Sequence, residues 1–456
     1  MATSSYVQVP PDSTGKKLAS LEHSVGGSTV QGQVFHLADP DEIGNKQAID
    51  YRGAASVRFS EGSPLSDAFG NLKVSQKSTV GMYDFVGDPN DVLFSDTLVG
   101  GGTLEHLPFA STMVLATGMA NGDFVSRVTN KYHYYMPGTG NLITMTVALS
   151  DAYTDGCERR WGAFDSTCGI YFSLDDLGAL KAVCRTNVSG TVVNNHVTRE
   201  LWNGDKCDGT GDSGYVLDLT KLNIYWWDYQ WLGAGRVRYG VVDDYGNRIV
   251  CHTMLNAGHN LFPYMRSGTL PLQVNIENKR ATGAACNIRW TCASVQTEGA
   301  ADYTYWRYTY DFPATPVTTN THLISLKSKS QMFGAHNITN AYPESFNFYI
   351  TGGDVRIDAY WDTLPLTGGT FALDNGSTVL ADVAGTLTFT GNEYRFRTGY
   401  FMAGAHIISL LNLFDKLDEG LVAKANESEP EYITFVATSL SGTPSILGSV
   451  CYAELR

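Results

Sequence analysis

Gly211-Asp212-Ser213-Gly214 sets a serine hydroxyl between two glycines, the local arrangement of an acyl-transfer nucleophile. Such chemistry needs a histidine base, a buried carboxylate to orient it and an oxyanion hole. Here Tyr215-Val216 follow, and no histidine segment suited to the base lies upstream. Four turn-forming residues do not define a triad, so the segment is read as a Gly-rich turn. Asp205, Asp208 and Asp212 offer hard oxygens of the kind calcium takes. Their spacing does not fit an EF-hand loop, and the same residues serve as Asx-type turns between strands. His133 lies in the aromatic run Tyr132-His133-Tyr134-Tyr135, and His252 follows Cys251 in a strand-like run. Each reads as a packed, hydrogen-bonded histidine. HExxH, P-loop and GxSxG motifs are absent from the sequence, and no dinucleotide fingerprint is assigned. The eight cysteines, at 157, 168, 184, 207, 251, 286, 292 and 451, form no CxxC pair and no zinc-finger spacing with histidine. They are expected as buried free thiols made in a reducing cytoplasm. No catalytic, cofactor-binding or metal-binding residue is therefore assigned, no cofactor is expected, and the chain is expected not to be an enzyme.

The elements that would position these groups are strands. Hydrophobic residues make up 43% of the 456 residues and charged residues only 17%, which excludes a disordered chain. With 25 Tyr and 47 Gly, the composition suits strands and turns. The net charge of −14 sets the surface against phosphate backbones, so no nucleic-acid partner is expected. No run approaches the length of a membrane span, so no membrane insertion is expected. Residues 1–20 lack an apolar segment, so no secretory signal is expected there.

Four segments are read along the chain. Residues 1–62 are an extended N-terminal arm, poor in core-forming residues, whose alternating run VQGQVFHL suits strand addition to a neighbour. Residues 63–300 are short β-rich runs (NLITMTVAL, GIYFSL, LKAVCRT, RIVCHTM, LQVNIEN) between Asp/Gly/Asn turns, which indicates a β-sandwich or jelly-roll-like domain. Residues 301–320 start as an aromatic strand and end in a linker at Pro313 and Pro316. Residues 321–456 resume short strands as a second, smaller β domain. The fold class is thus all-β. One amphipathic helix is expected near the end, where apolar residues recur at 407, 410, 411, 414 and 417 before Gly420.

The centre of the large domain is Leu222 to Val242. Alternation places Asn223, Tyr225, Trp227, Tyr229 and Trp231 on one face, and Leu222, Ile224 and Trp226 on the other. A strand apolar on both faces is covered twice, by a second sheet or a partner subunit. Tyr225, Trp226, Trp227, Tyr229 and Trp231 are the candidate core or interface aromatics; a sugar-stacking platform is the alternative use of the same rings. Arg236 and Arg238 alternate with Val237, Tyr239 and Val241, predicting one wet face, and Asp243 to Asn247 predict a hairpin loop.

Several segments, taken in order, resemble a family of tailed-bacteriophage virion proteins: 67–74 (DAFGNLKV), 131–148 (KYHYYMPGTGNLITMTVA), 161–176 (WGAFDSTCGIYFSLDD), 205–219 (DKCDGTGDSGYVLDL), 223–240 (NIYWWDYQWLGAGRVRYG) and 264–278 (YMRSGTLPLQVNIEN). The family has proline where this chain has Asp212, which supports the turn reading. Cys168 and Cys207 stand at positions the family does not fix. The resemblance implies a virion structural protein of the tail, baseplate or fibre, with capsid decoration as the alternative placement, assembled in the host cytoplasm. It implies other virion proteins as partners and a homo-oligomer, of which a trimer would suit a fibre. It transfers no catalytic residue. A receptor- or glycan-binding fibre module, with a host-surface glycan as ligand, is the binding alternative.

Overall fold

The computed structural model describes residues 77–299, 305–332, 334–361, 366–373, 377–391, 393–410 and 432–455, together with the backbone of three N-terminal strands. The chain divides into a unit of residues 1–61 and a unit of residues 62–456. In the first, Ser4–Gln8, Lys17–Val25 and Ser28–Gln33 pair with one another in an antiparallel sheet. Part of the run read for strand addition thus bonds within the arm; residues 34–62 lie outside the described residues.

The second unit is built from antiparallel sheets, so the all-β reading holds. A seven-stranded sheet runs Val193–Thr198, Leu180–Thr186, Gly169–Leu174, Cys157–Phe164, Leu272–Asn278, Phe124–Thr129, Phe94–Val99. An eight-stranded sheet runs Arg248–Met254, Val237–Val242, Asn223–Tyr229, Asn141–Leu149, Asn287–Glu298, Thr112–Ala116, Thr103–Leu107, with Lys77–Asp84 also paired to Asn287–Glu298. The two sheets share one core, because period-2 alternation sends every second side chain inward. Phe172 from the first sheet meets Tyr225, Trp227 and Tyr239 from the second, with ring centroids 5.4, 5.5 and 5.7 Å away.

A four-stranded and a six-stranded sheet, with a separate core around Phe346, Phe435 and Tyr452, form the second sandwich. The two sandwiches touch where Asn340 Nδ2 donates to Tyr132 O at 2.9 Å and Ile338 packs on Val128 and Tyr132.

Four local expectations need correction. The strand Tyr305–Pro316 runs on through Pro313 and Pro316, where a linker was expected. It is an edge strand with a register shift between Phe312 and Thr315, the setting in which a strand tolerates proline. Ile407 and Ile408 lie in the strand Gly404–Ser409 with alternating exposure, not in a helix; 411–417 fall outside the described residues. A short apolar run fits both periods, and pairing to Asn340–Thr351 selects the strand. The second face of Asn223–Tyr229 is only partly covered: Trp226 is fully buried, while Leu222 and Ile224 are exposed. Arg238, expected on a wet face, is fully buried, because Asp228 across the pairing meets it at 2.9 Å.

Trp226 explains a glycine. Its indole lies across Gly240, where an added Cβ would sit 2.3 Å from Trp226 Cε2 and 2.2 Å from Ile249 O. Trp226 Nε1 donates to Val241 O at 3.0 Å, and the Arg248 guanidinium stands over the ring.

Candidate binding cleft

The residues singled out for chemistry fall in different places. The Gly211–Gly214 segment is a turn closed by Gly214 N donating to Gly211 O at 3.0 Å. Asp205 Oδ2 accepts from Ser213 N and its Oδ1 from Cys207 N, at 2.8 and 2.7 Å. A Cβ on Gly211 would lie 2.3 Å from Asp205 Oδ1, so a side chain there would push the carboxylate away from these donors. Burial alone would raise the Asp205 pKa, but these donors outweigh it and hold the group below the ordinary range. Ser213 Oγ accepts from Tyr215 N at 3.1 Å, and no histidine is hydrogen-bonded to it among the described residues. Asp208 likewise accepts from Thr210 N and Oγ1. These carboxylates organise the loop. No group of three or more His, Cys, Asp or Glu suited to a metal occurs among the described residues.

His133 is buried between two elements: its Nδ1 donates to Leu270 O at 3.0 Å and its Nε2 accepts from Tyr83 Oη at 2.9 Å. Burial, aided by the Lys131 charge, pushes its pKa down to about 3. It stays neutral in the fold but takes a proton near pH 6.5 when unfolded. Between pH 6.5 and 3 the unfolded state therefore binds one more proton, and stability falls as pH falls through that window. We expect His133→Gln to remove this dependence. Urea midpoints from pH 7 to 4 should show the wild type losing ground to the variant by about 1.4 kcal/mol per pH unit below the unfolded pKa. Parallel curves would disprove it.

The aromatics of the central strand turn inward. Tyr225, Trp227 and Tyr229 are core residues, and Trp226 lies under Arg248. Trp231 follows the strand, half-buried, donating from Nε1 to Met265 O at 3.1 Å. They present no open stacking platform.

Tertiary structure pairs two carboxylates that sequence spacing does not. Glu158 and Glu277 are cross-strand partners on the outer face of the seven-stranded sheet. Arg160 Nη2 bridges both, and Lys279 Nζ lies 2.7 Å from Glu277 and 3.6 Å from Glu158. Burial pushes both acids up, but Arg160 and Lys279 outweigh it and hold both below the ordinary carboxylate range. Acid–base hydrolysis needs one carboxyl kept protonated. This pair is a salt-bridged network.

One open cleft was missed by sequence reasoning. A cleft of about 740 Å³ lies between Val193–Thr198, at the edge of one sheet, and Arg248–Met254, at the edge of the other. Residues 255, 256 and 259–264 complete it. Cys184 and the buried Tyr264 lie on its inner side; His196, His252 and Asn203 line its walls. Leu255, Leu261 and Phe262 stand exposed at 62, 91 and 65%, with Val188 and Val193 also exposed. Asn203 ties the walls together: its Nδ2 donates to Thr253 O at 2.9 Å, and its Oδ1 accepts from Thr253 N at 2.8 Å. His252 Nδ1 accepts from Asn203 N at 3.3 Å, which leaves Nε2 as the protonated nitrogen, and burial lowers its pKa. The exposed amides of Asn195 and Asn260 also face this site. An apolar rim with convergent amide and imidazole groups suits binding of a partner side chain or a small polar ligand. The one signal in the sequence was Leu261-Phe262 within an otherwise turn-like stretch.

No family model and no curated protein matches the sequence. Solved structures with a similar fold include a glycoside hydrolase family protein from Mycobacterium thermorestibile (12% identical, covering 47% of this chain and 99% of that one, TM-score 0.32). They also include an endo-β-1,4-glucuronan lyase from the fungus Trichoderma reesei (9%, 49% and 96%, 0.31). A third is a legume lectin-like domain from Entamoeba histolytica (8%, 49% and 99%, 0.30). The presence of a hydrolase and a lyase among these neighbours overturns the expectation that the chain is not an enzyme, and that exclusion is withdrawn. At this identity the likeness is one of fold and assigns no activity.

Proposed function

We propose that this chain is a structural component of a tailed-phage particle, in the tail, baseplate or fibre, that works through protein–protein contacts. The observation that carries the reading is the apolar rim of the cleft, where Leu255, Leu261 and Phe262 leave large side chains in solvent beside Val188 and Val193. A monomer gains nothing from such a patch, whereas an interface buries it. The occupant proposed is a second copy of this chain, seated to give a closed homo-oligomer. The ordered resemblance of residues 67–278 to virion proteins is a further support.

The test is a Leu261→Asp, Phe262→Asp double variant, which changes only exposed side chains. Sedimentation should show self-association weakened roughly 30-fold or more, the loss of about 2 kcal/mol at an anchoring aromatic, with the melting temperature unchanged. Counting copies in purified particles by peptide mass spectrometry tests the placement. A handful to tens favours the tail, hundreds would favour shell decoration, and absence from the particle would overturn the virion reading.

A second reading, glycan binding in the same cleft, is favoured by His196, Asn195 and Asn260 beside Phe262. It predicts a wild type that is monomeric at all concentrations and a double variant that loses hexose binding.

A further inference from the structure

Two buried thiols sit in contact outside the cleft. Cys207 Sγ and Cys251 Sγ are 3.6 Å apart, and both residues are fully buried. Cys207 belongs to the 205–216 loop; Cys251 lies in the strand Arg248–Met254. Their juxtaposition is set by backbone contacts on both sides. Gly204 N donates to Cys251 O at 3.0 Å, Asp205 N to Val250 O at 2.9 Å, and Leu217 N to Cys207 O at 2.8 Å. Gly204 is required for that approach, since a Cβ there would lie 2.3 Å from Val250 O. Cys207 has a left-handed φ of 50°, stabilised by its N–H bond to Asp205 Oδ1 and by Arg199 donating to its carbonyl. The two sulfurs are thus held together by a frame that does not depend on a bond between them. A disulfide, at about 2.0 Å, requires the sulfurs to close by roughly 1.6 Å, within reach of side-chain rotation.

We propose that Cys207 and Cys251 are an oxidation site, a dithiol that closes to an intramolecular disulfide and staples the Gly-rich loop to the edge of the sandwich. The oxidant is a low-molecular-weight disulfide. Cys207 lies next to the exposed residues Asp208, Gly209 and Thr210, so opening this loop admits the oxidant to it first. Its thiolate attacks one sulfur of the oxidant, forming a mixed disulfide and expelling one thiolate. Cys251 Sγ then attacks the Cys207 sulfur, expelling the second thiolate. The expelled thiolates take up the two protons the protein thiols have lost. Two protein thiols are oxidised and one small disulfide is reduced to two thiols. Burial and the shared hydrogen bond keep Cys251 protonated until that step, which makes it the resolving sulfur. The inference stands independently of the virion reading.

The experiment equilibrates the full chain in glutathione redox buffers, quenches in acid, blocks free thiols with N-ethylmaleimide under denaturing conditions and maps the peptides. In oxidising buffer the Cys207 and Cys251 peptides should be recovered joined, two hydrogens lighter than their sum, and should separate after reduction. The oxidised chain should melt higher than the reduced one. Cys251→Ser should instead accumulate a glutathione adduct on Cys207. Alkylation of both cysteines at every buffer ratio would overturn the proposal. So would a bond from Cys207 to another cysteine, or a persistent glutathione adduct in the wild type. Because the wild-type map alone decides between these results, failure of the serine variant to fold leaves the test intact.

Discussion

Trp227→Ala is expected to cost about 3–5 kcal/mol of stability, the loss typical of truncating a large buried aromatic in a core that cannot collapse onto the space. Trp227 is fully buried and packs on Phe172, itself in contact with Tyr225 and Tyr239, so a void there loosens both sheets at once. Its indole N–H has no acceptor among the described residues, so the residue contributes through packing alone. Trp227→Phe should therefore lose only part of that, about 1–2 kcal/mol, through the volume it leaves empty. Urea unfolding followed by far-UV circular dichroism separates the two variants. A Trp227→Ala protein that stays folded and assembled while losing sugar binding would mean the ring serves a ligand and the core assignment is wrong.

The second large effect lies on the opposite face of the same strand. Asp228→Leu alone should destabilise by about 3–5 kcal/mol, because it leaves the Arg238 guanidinium buried without its 2.9 Å carboxylate. Arg248 is near enough that burial and Arg238 lower its pKa while Asp228 raises it, so Asp228 balances two guanidinium groups. The double variant Asp228→Leu, Arg238→Met should recover most of the loss, since removing both charges also removes their desolvation cost. A double-mutant cycle on denaturation midpoints reads the coupling directly. If the double variant were as unstable as the single one, the pair would not be the source of the effect.

Each effect involves a residue that sequence reasoning reached, Trp227 in the first and Arg238 in the second, but to different depths. Tyr225, Trp227 and Tyr229 alternate in a strand, and alternation is a local property: it assigns a face without knowledge of the partner sheet. The same holds for the Asp243–Asn247 hairpin, where Asp243 N donates to Asn247 O and Gly246 has a φ of 85°. The Gly211–Gly214 turn was legible for the same reason. Arg238 was misread because its character depends on Asp228, ten positions away and fixed by the pairing of two strands. Ile407 and Ile408 were misread because a short apolar run satisfies helical and extended periods alike, and only pairing to Asn340–Thr351 decides between them.

The sequence by itself thus determined the all-β class, the inward aromatic face, the principal turns and the exclusion of zinc-finger and EF-hand motifs, all of them properties of neighbouring residues. Tertiary structure alone decided which groups meet. It joined Glu158 to Glu277, set Cys207 beside Cys251, and built a cleft from Cys184, His196, His252 and Phe262. The physical reason is that antiparallel sheets place strands side by side through register and crossover. Two residues far apart in the chain become neighbours only when every intervening strand has found its partner.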